Sequence, residues 1–270
     1  MRILLHPGFH KTGTSSLQRG AEARMDQLAP HLRLMVTSDV IDAARAARRY
    51  SARPDDETLH RFAEHFAAAM TPIEASDTRA LLISCEDLSG YIPGNHNVPA
   101  YDAAPALMEV ATATLQAHFG AATQITIWYT TRAPAPWQRS VWYQNLRALR
   151  VTESFEVYQP RLNRAARLDE IVTAVQTRLQ GRARVAATPI ETCGALPLGP
   201  LGAALDHLGI ETEGIAPLPA QNIQPEGATL ELLALNRSDL DDEALTKAKR
   251  DVLQRHRRVG NTRRDPSQGA

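Results

Sequence analysis

Residue types suited to anion binding are concentrated near the amino terminus. The stretch reads Gly8-Phe9-His10-Lys11-Thr12-Gly13-Thr14-Ser15-Ser16-Leu17, between an apolar run at Ile3-Leu4-Leu5 and a helical pattern over residues 17–28. A strand, a glycine-bounded loop and a helix in this order bring inward-turned backbone N–H groups to the positive end of the helix. Lys11 adds a full charge, and hydroxyl groups are offered by Thr12, Thr14, Ser15 and Ser16. The stretch therefore predicts a phosphate-binding loop.

The position of the lysine decides which kind of phosphate loop this is. Gly8 and Gly13 have the spacing of a nucleoside-triphosphate loop, G-x-x-x-x-G-K-[ST], but Thr14 stands where that motif has its lysine. The lysine lies earlier, at Lys11. A strand–turn–helix that merely contains a lysine is the alternative interpretation.

A second candidate anion site comes from Arg132 and Ser140. Arg132 leaves a predicted strand, and Ser140 lies eight residues later in the first turns of the next predicted helix. The two can hold one anion from two sides, with arginine supplying a forked and permanently charged donor. The alternatives are a surface ion pair for Arg132 and an ordinary helix residue for Ser140.

Two features of the chain resemble the donor-binding motifs of sulfotransferases that use 3′-phosphoadenosine 5′-phosphosulfate (PAPS). They are the stretch Lys11-Thr12-Gly13-Thr14-Ser15 and the Arg132–Ser140 pair. The chain resembles a bacterial-type member of this family. The resemblance implies sulfuryl transfer from PAPS to an acceptor hydroxyl or amine, with 3′-phosphoadenosine 5′-phosphate (PAP) as product. It implies that Lys11 touches the bridging oxygen and 5′-phosphate, and that Arg132 and Ser140 bind the 3′-phosphate. The 5′-phosphosulfate would be bound by Thr12, Gly13, Thr14, Ser15 and Ser16.

The acceptor must lose a proton, which calls for a general base. Glu86 is the first candidate, since it follows a predicted strand and several carbohydrate- and protein-modifying members of the family use a glutamate there. The alternative for Glu86 is a structural role, either as a cap or in a pairing such as one with Arg132 or Lys11. His10 is the second candidate and His96 the third, whereas Asp87 is expected to cap the next turn.

The remaining elements are predicted from apolar periodicity. Strands are expected at residues 2–6, 32–36, 80–84, 124–130 and 183–188, with helices between them. This alternation predicts an α/β fold of three layers, α/β/α, with a central parallel sheet of the P-loop nucleotide-binding type. Lys11, Glu86 and Arg132 each follow a predicted strand, so the site should lie past the carboxyl ends of the strands.

Composition limits the function further. Thirty basic and thirty acidic residues give no net charge, so no nucleic-acid partner is expected. Two cysteines and unpatterned histidines predict neither disulfides nor a metal site. No apolar run is long enough for a membrane span and no targeting segment is visible, which favours a cytoplasmic location. We expect a single domain over residues 1–254 and a basic, mobile tail over 255–270. Cytosolic members of the family carry a late arginine-lysine-glycine stretch that also holds the 3′-phosphate, and Arg257 to Gly260 only faintly resembles it.

The acceptor is not encoded in a readable motif. A small molecule, a carbohydrate, a lipid headgroup and a peptide all stay open, and segments 37–75 and 89–102 are expected to shape the acceptor pocket. Two other functions stay open as well. One is a P-loop small-molecule kinase or nucleotide hydrolase, and the other is a non-catalytic protein that binds PAPS or a nucleotide.

Overall fold

A computed structural model describes residues 1–217 and 226–262 of the chain. Its centre is a five-stranded sheet in the order β2-β3-β1-β4-β5, in which every neighbouring pair is parallel. The strands are β1 (Arg2–His6), β2 (Leu32–Met35), β3 (Ala80–Ser84), β4 (Gln124–Thr131) and β5 (Arg184–Pro189). The chain adds β2 and β3 on one side of β1 and then β4 and β5 on the other. The strand order therefore reverses at β1, which creates a switch point at the carboxyl end of this strand.

Helices connect the strands and cover the sheet. They are α1 (Thr14–Glu22), α2 (Met25–Leu28), α3 (Ile41–Ala52), α4 (Asp56–Met70), α5 (Ala104–Phe119), α6 (Pro134–Ala148), α7 (Phe155–Tyr158), α8 (Leu168–Leu179), α9 (Ile190–Cys193), α10 (Gly199–His207), α11 (Glu226–Asn236) and α12 (Asp242–Thr262). Short 3-10 turns lie at Glu86–Ser89 and Gln159–Leu162. No helix in the described ranges has both the length and the apolar character needed to cross a membrane.

Both faces of the sheet are buried because successive side chains of a strand point to opposite faces. On β1, Ile3 and Leu5 join the core formed with α3 to α6 and α8, whereas Leu4 joins the core formed with α1 and α10. The neighbouring strand follows the same pattern, since Leu81 is paired with Ile3 and Leu82 with Leu4. The three-layer α/β/α prediction is therefore confirmed.

Three helix boundaries differ from the prediction. The helix expected over 17–28 breaks at Arg24, whose guanidinium leaves the helix to donate to the carbonyls of Ala216 (2.7 Å) and Pro217 (2.9 Å). Apolar periodicity predicts another helix over residues 162–179, but this helix begins only at Leu168. The last helix runs to Thr262 rather than ending at residue 254, so the first part of the expected tail is helical, and residues 263–270 lie outside the described residues.

A buried histidine links three strands at the edge that carries the site. His6 is fully buried, its Nδ1 lies 3.0 Å from Ser84 Oγ on β3, and its Nε2 lies 3.2 Å from Thr130 Oγ1 on β4. Burial lowers the pKa of His6 to about 3. The imidazole therefore stays neutral and serves as a hydrogen-bonding link beneath the loop.

This burial predicts acid sensitivity. His6 takes up a proton near pH 6.5 in the unfolded chain but only near pH 3 in the folded one. The unfolded state thus binds more protons, so the free energy of unfolding should fall as the pH drops from about 6.5 towards 3, by about 1 kcal/mol per pH unit.

Urea denaturation across this pH range measures the effect. His6→Gln should flatten the slope, whereas His31→Gln, at an exposed position, should leave it unchanged. Equal slopes in wild type and His6→Gln would contradict the assignment.

Candidate active site

The loop between β1 and α1 curves around the amino end of α1. Lys11 and Gly13 both have left-handed backbone angles, with φ of 70° and 105°. Gly13 precedes the helix, and its carbonyl accepts the N–H groups of Ser16 (2.9 Å) and Leu17 (3.1 Å). A left-handed lysine is uncommon and is held only where surrounding contacts enforce it. The loop therefore has the shape and the dipole of an anion-binding site.

Contacts to distant parts of the chain fix this loop. The backbone N–H of His10 donates to Tyr101 Oη (3.1 Å), and Trp137 Nε1 donates to the His10 carbonyl (2.9 Å). Thr12 Oγ1 donates to the Phe9 carbonyl at 2.6 Å. Both backbone groups of His10 are thus held by buried aromatic side chains, so the loop is organised before any ligand binds.

Arg132 connects the two sites predicted from the sequence. Its Nη1 donates to Ser140 Oγ (2.8 Å) and to the backbone carbonyl of Lys11 (3.2 Å). Arg132 follows β4, whereas Ser140 lies on α6, and both flank the loop after β1. The structure thus brings Lys11, Arg132 and Ser140 together at the carboxyl edge of the sheet.

Positive charge accumulates here without a matching carboxylate. Lys11, Arg132 and Arg147 are all half-buried, and among residues 1–217 and 226–262 no carboxylate lies within 4 Å of their charged nitrogens. Burial, followed by repulsion from Arg147 and Arg132, lowers the pKa of Lys11, while Glu86 opposes this shift. An anion placed among these groups would remove the repulsion and stabilise the charged lysine.

Two buried oxygen atoms near the loop have no hydrogen-bonding partner in the described part of the chain. They are Thr14 Oγ1, in the first turn of α1, and Glu86 Oε2, just after β3. Buried polar atoms are rarely left unpaired, and such exceptions occur at functional sites. Thr14 can donate to an anion, and Glu86 can accept a proton.

Glu86 is not engaged in the structural pairing that the sequence left open. Within the described ranges neither Lys11 nor Arg132 lies within 4 Å of its carboxylate. It begins the short 3-10 turn Glu86–Ser89, and its charge acts on Lys11 from a greater distance. One carboxylate oxygen, Oε2, therefore stays available as an acceptor.

The two nitrogens of the His10 ring are both occupied. Nδ1 lies 3.1 Å from Tyr101 Oη, and Nε2 lies 3.2 Å from Asp87 Oδ1. The other oxygen of Asp87 accepts from Arg48 Nη1 at 2.7 Å. The prediction that Asp87 caps the next turn is wrong, because its carboxylate is drawn into this contact with the loop. His96 is exposed and stacks on Tyr91, with ring centroids 4.2 Å apart.

The other predicted loop residues differ in what they can offer. Thr14 is buried, Ser15 is exposed and Ser16 is half-buried, all in the first turn of α1. The Thr12 hydroxyl donates to the Phe9 carbonyl and lies 2.9 Å from Thr130 Oγ1. Thr12 can therefore offer a bound anion its backbone N–H rather than its hydroxyl.

Sequence reasoning missed two contributors, Tyr101 and Arg147. No local signal marks Tyr101, which lies 91 residues from the loop that it holds. Arg147 follows Ser140 by seven residues, a spacing that places both on one face of a helix. No group of three or more histidine, cysteine, aspartate or glutamate side chains within the described ranges could hold a metal ion.

The conformation of Gly13 predicts a strong effect of one added methyl group. A Cβ at this position would lie 2.5 Å from Ile190 Cδ1, on a backbone with φ of 105°. Gly13→Ala should destabilise the fold by about 1–2 kcal/mol. It should also weaken binding of inorganic pyrophosphate by about tenfold or more, since displaced N–H groups lose charge-assisted bonds.

Gly120→Ala is the matched control for this substitution. Gly120 has a φ of 94° and nothing within 4 Å of an added Cβ, so it reproduces the backbone strain away from the loop. Calorimetric titration should show unchanged pyrophosphate binding in Gly120→Ala. Unchanged binding in Gly13→Ala would remove the loop from the anion site.

Comparison with solved structures shows a distant likeness to a sulfotransferase. No protein-family model matches the chain, and no curated protein matches it. A crystal structure of a sulfotransferase from Alicyclobacillus acidocaldarius is 16% identical, with a TM-score of 0.45, over 90% of this chain and 97% of that chain. Likeness at this level does not assign the chain to a family.

Proposed function

We propose that the protein is a sulfotransferase that moves a sulfuryl group from PAPS to a hydroxyl or amine acceptor. The observation that carries the proposal is the set of two bonds from Arg132, to Ser140 Oγ and to the Lys11 carbonyl. These bonds join the predicted phosphate loop to the residues predicted to form a second anion site. PAPS is a nucleotide with anionic groups at both its 5′ and its 3′ positions, and such a ligand suits two linked anion sites.

The proposed donor contacts follow from this arrangement. The loop residues Thr12 to Ser16 and the amino end of α1 would bind the 5′-phosphosulfate, with Thr14 Oγ1 as a buried hydroxyl that has no other partner. Arg132 and Ser140 would hold the 3′-phosphate. Arginine suits this task because its planar fork can bond two phosphate oxygens at once.

The chemistry proposed for Lys11 and Glu86 is in-line transfer. As the acceptor oxygen forms its bond to sulfur, the bond from sulfur to the 5′-phosphate oxygen breaks, and negative charge grows on the departing phosphate. Lys11 would stabilise this charge, a role whose loss typically costs about 100- to 1,000-fold in rate. The carboxylate of Glu86 would take the proton from the acceptor hydroxyl.

Glu86 is favoured over His10 as the base by their hydrogen bonds. Both ring nitrogens of His10 already face Tyr101 and Asp87, whereas Glu86 Oε2 has no partner in the described part of the chain. His10 then serves to position the loop, through the contacts of its ring and its backbone.

Nucleotide binding without magnesium tests the proposal. PAPS and PAP should raise the melting temperature in the presence of a chelator, whereas ATP should not. A P-loop kinase or hydrolase predicts the reverse, because it binds the nucleotide as a magnesium complex. A protein that binds PAPS tightly but transfers no label to any acceptor would instead be a non-catalytic binding protein.

Arg132→Ala should remove the preference for PAPS over adenosine 5′-phosphosulfate, which lacks the 3′-phosphate. A charge-assisted hydrogen bond contributes about 1.5–3 kcal/mol, so the ratio of the two affinities should fall more than tenfold. Arg139→Ala is the control, since Arg139 is exposed on α6 and lies over the Phe155 ring. An unchanged ratio in Arg132→Ala would exclude Arg132 from the site.

Glu86→Gln should lower turnover by about 100-fold or more while PAPS affinity stays nearly the same, because only the proton acceptor is lost. Transfer is measured with radiolabelled PAPS and an acceptor found by screening alcohols, sugars, lipid headgroups and peptides. Glu74→Gln, at an exposed position, is the control. Normal turnover in Glu86→Gln would move the role of base to His10.

A further inference from the structure

We infer that Arg147 forms a separate anion subsite on the acceptor side of the cleft, so that the acceptor carries a negatively charged group beside its reacting hydroxyl. This inference rests on the proposed function and names the class of its acceptor. A carboxylate, a sulfate and a phosphate share the chemistry required, which is a compact anion that an arginine fork can hold.

Position along α6 separates Arg147 from the contacts proposed for the 3′-phosphate. Ser140, which bonds Arg132, lies on the same helix face and two turns earlier, about 10 Å along the axis at 1.5 Å per residue. The amino-terminal half of α6 thus lies beside the proposed 3′-phosphate site. The carboxyl-terminal half extends beyond it.

Side-chain contacts place this second half of α6 against the segment expected to shape the acceptor pocket. Asn145 Nδ2 donates to the Pro93 carbonyl (2.9 Å) and to Tyr158 Oη (3.0 Å). The loop containing Pro93 follows the turn that begins with Glu86. Arg147 is therefore carried on the half of α6 that packs against this loop.

No carboxylate in the part of the chain that the structure describes pairs with Arg147. Its single hydrogen bond within the described residues is a long one, from Nη1 to Gln144 Oε1 at 3.4 Å, and its Nε is buried with no acceptor. Its guanidinium carbon lies 5.7 Å from the centre of the Tyr143 ring, which orients the side chain without neutralising it. Arg150, three residues later, has instead the carboxylate of Asp242 at 3.3 Å.

The charge balance of the cleft also favours an anionic acceptor. Repulsion from Arg147 is the largest effect of any charged group on Lys11, ahead of that from Arg132, and both lower its pKa. In the proposed complex Lys11 and Arg132 face the phosphates of the donor, which leaves Arg147 as surplus positive charge. A negative group on the acceptor would compensate it, and repulsion by Glu86 would direct the neutral hydroxyl, rather than that group, towards the base.

The position of Arg147 is fixed by the last two helices. Asn236 Nδ2 donates to the carbonyls of Leu146 (3.0 Å) and Val151 (2.8 Å), and Lys249 Nζ donates to those of Leu146 (3.0 Å) and Leu149 (2.7 Å). These bonds satisfy carbonyls that the end of a helix leaves free. The residue that carries the subsite is thus held on a fixed element, as specific binding requires.

Titration of sulfate into the PAP-saturated protein tests the inference, because PAP occupies the donor site and leaves the subsite accessible. Wild type should bind sulfate saturably in isothermal calorimetry. Arg147→Gln should weaken this binding by about tenfold or more while leaving the affinity for PAP within about twofold. Arg139→Gln removes the same charge from an exposed position earlier on α6, where the guanidinium lies over the Phe155 ring, and should change neither affinity.

A second measurement uses the acceptor found with radiolabelled PAPS. That acceptor should be acidic, and Arg147→Gln should raise its KM by about tenfold or more with little change in kcat, since uniform binding is lost. Arg147→Lys should restore part of the loss.

Several outcomes would overturn the inference. They are an absence of sulfate binding to the PAP-saturated protein, equal sulfate binding in wild type and Arg147→Gln, and a preferred acceptor without charge. A more than tenfold loss of PAP affinity in Arg147→Gln would assign Arg147 to the donor site and refute the subsite as well. Failure of wild type to bind PAP would instead refute the proposed function, and the sulfate affinities of wild type and Arg147→Gln would still decide whether Arg147 holds an anion.

Discussion

Uncompensated positive charge in a half-buried cleft is the constraint around which the site is built. Lys11, Arg132 and Arg147 converge there, and no carboxylate in the described part of the chain neutralises them within ion-pair distance. Charges withdrawn from water without a partner are costly. Such an arrangement lowers the stability of the folded chain when no ligand is bound. It also makes the binding of an anion in the cleft more favourable.

The surrounding structure holds this charge in place with neutral hydrogen bonds. Tyr101 and Trp137 fix the backbone of His10, and His6 joins β1 to its two neighbours below the loop. Because these groups are uncharged, they fix the geometry without consuming the positive potential. Arg132 then extends the rigid unit from the loop to α6 through the Lys11 carbonyl.

Local sequence was sufficient to predict the fold class and the loop. The strands are short apolar runs bounded by turns, and the glycine spacing around Lys11 marks the chain reversal, so both signals lie within about ten residues. The partnership of Arg132 and Ser140 was predictable too, because eight residues separate a strand end from the first turns of a helix. Which ligand these residues bind stays a proposal, derived from a resemblance and from the geometry together.

What the sequence did not reveal depends on contacts between distant segments. Tyr101 bonds the loop although it lies 91 residues away in the sequence. Asp87 does not cap its own turn, because its carboxylate contacts His10 and Arg48 from two other segments. The break at Arg24 has the same origin, since carbonyls 192 and 193 residues away draw its side chain out of the helix pattern. Propensity and periodicity describe neighbours along the chain and carry no information about such partners.

The attachment of α6 to the last two helices has a consequence for how the molecule matures on the ribosome. The loop, Arg132 and Ser140 are all synthesised within the first 140 residues, whereas Asn236 and Lys249 emerge about 100 residues later. Since folding during translation proceeds from the amino terminus, the loop and the Arg132–Ser140 pair can form before the carboxyl end of α6 is anchored. The fixed position of Arg147, on which the proposed acceptor subsite depends, is then acquired last.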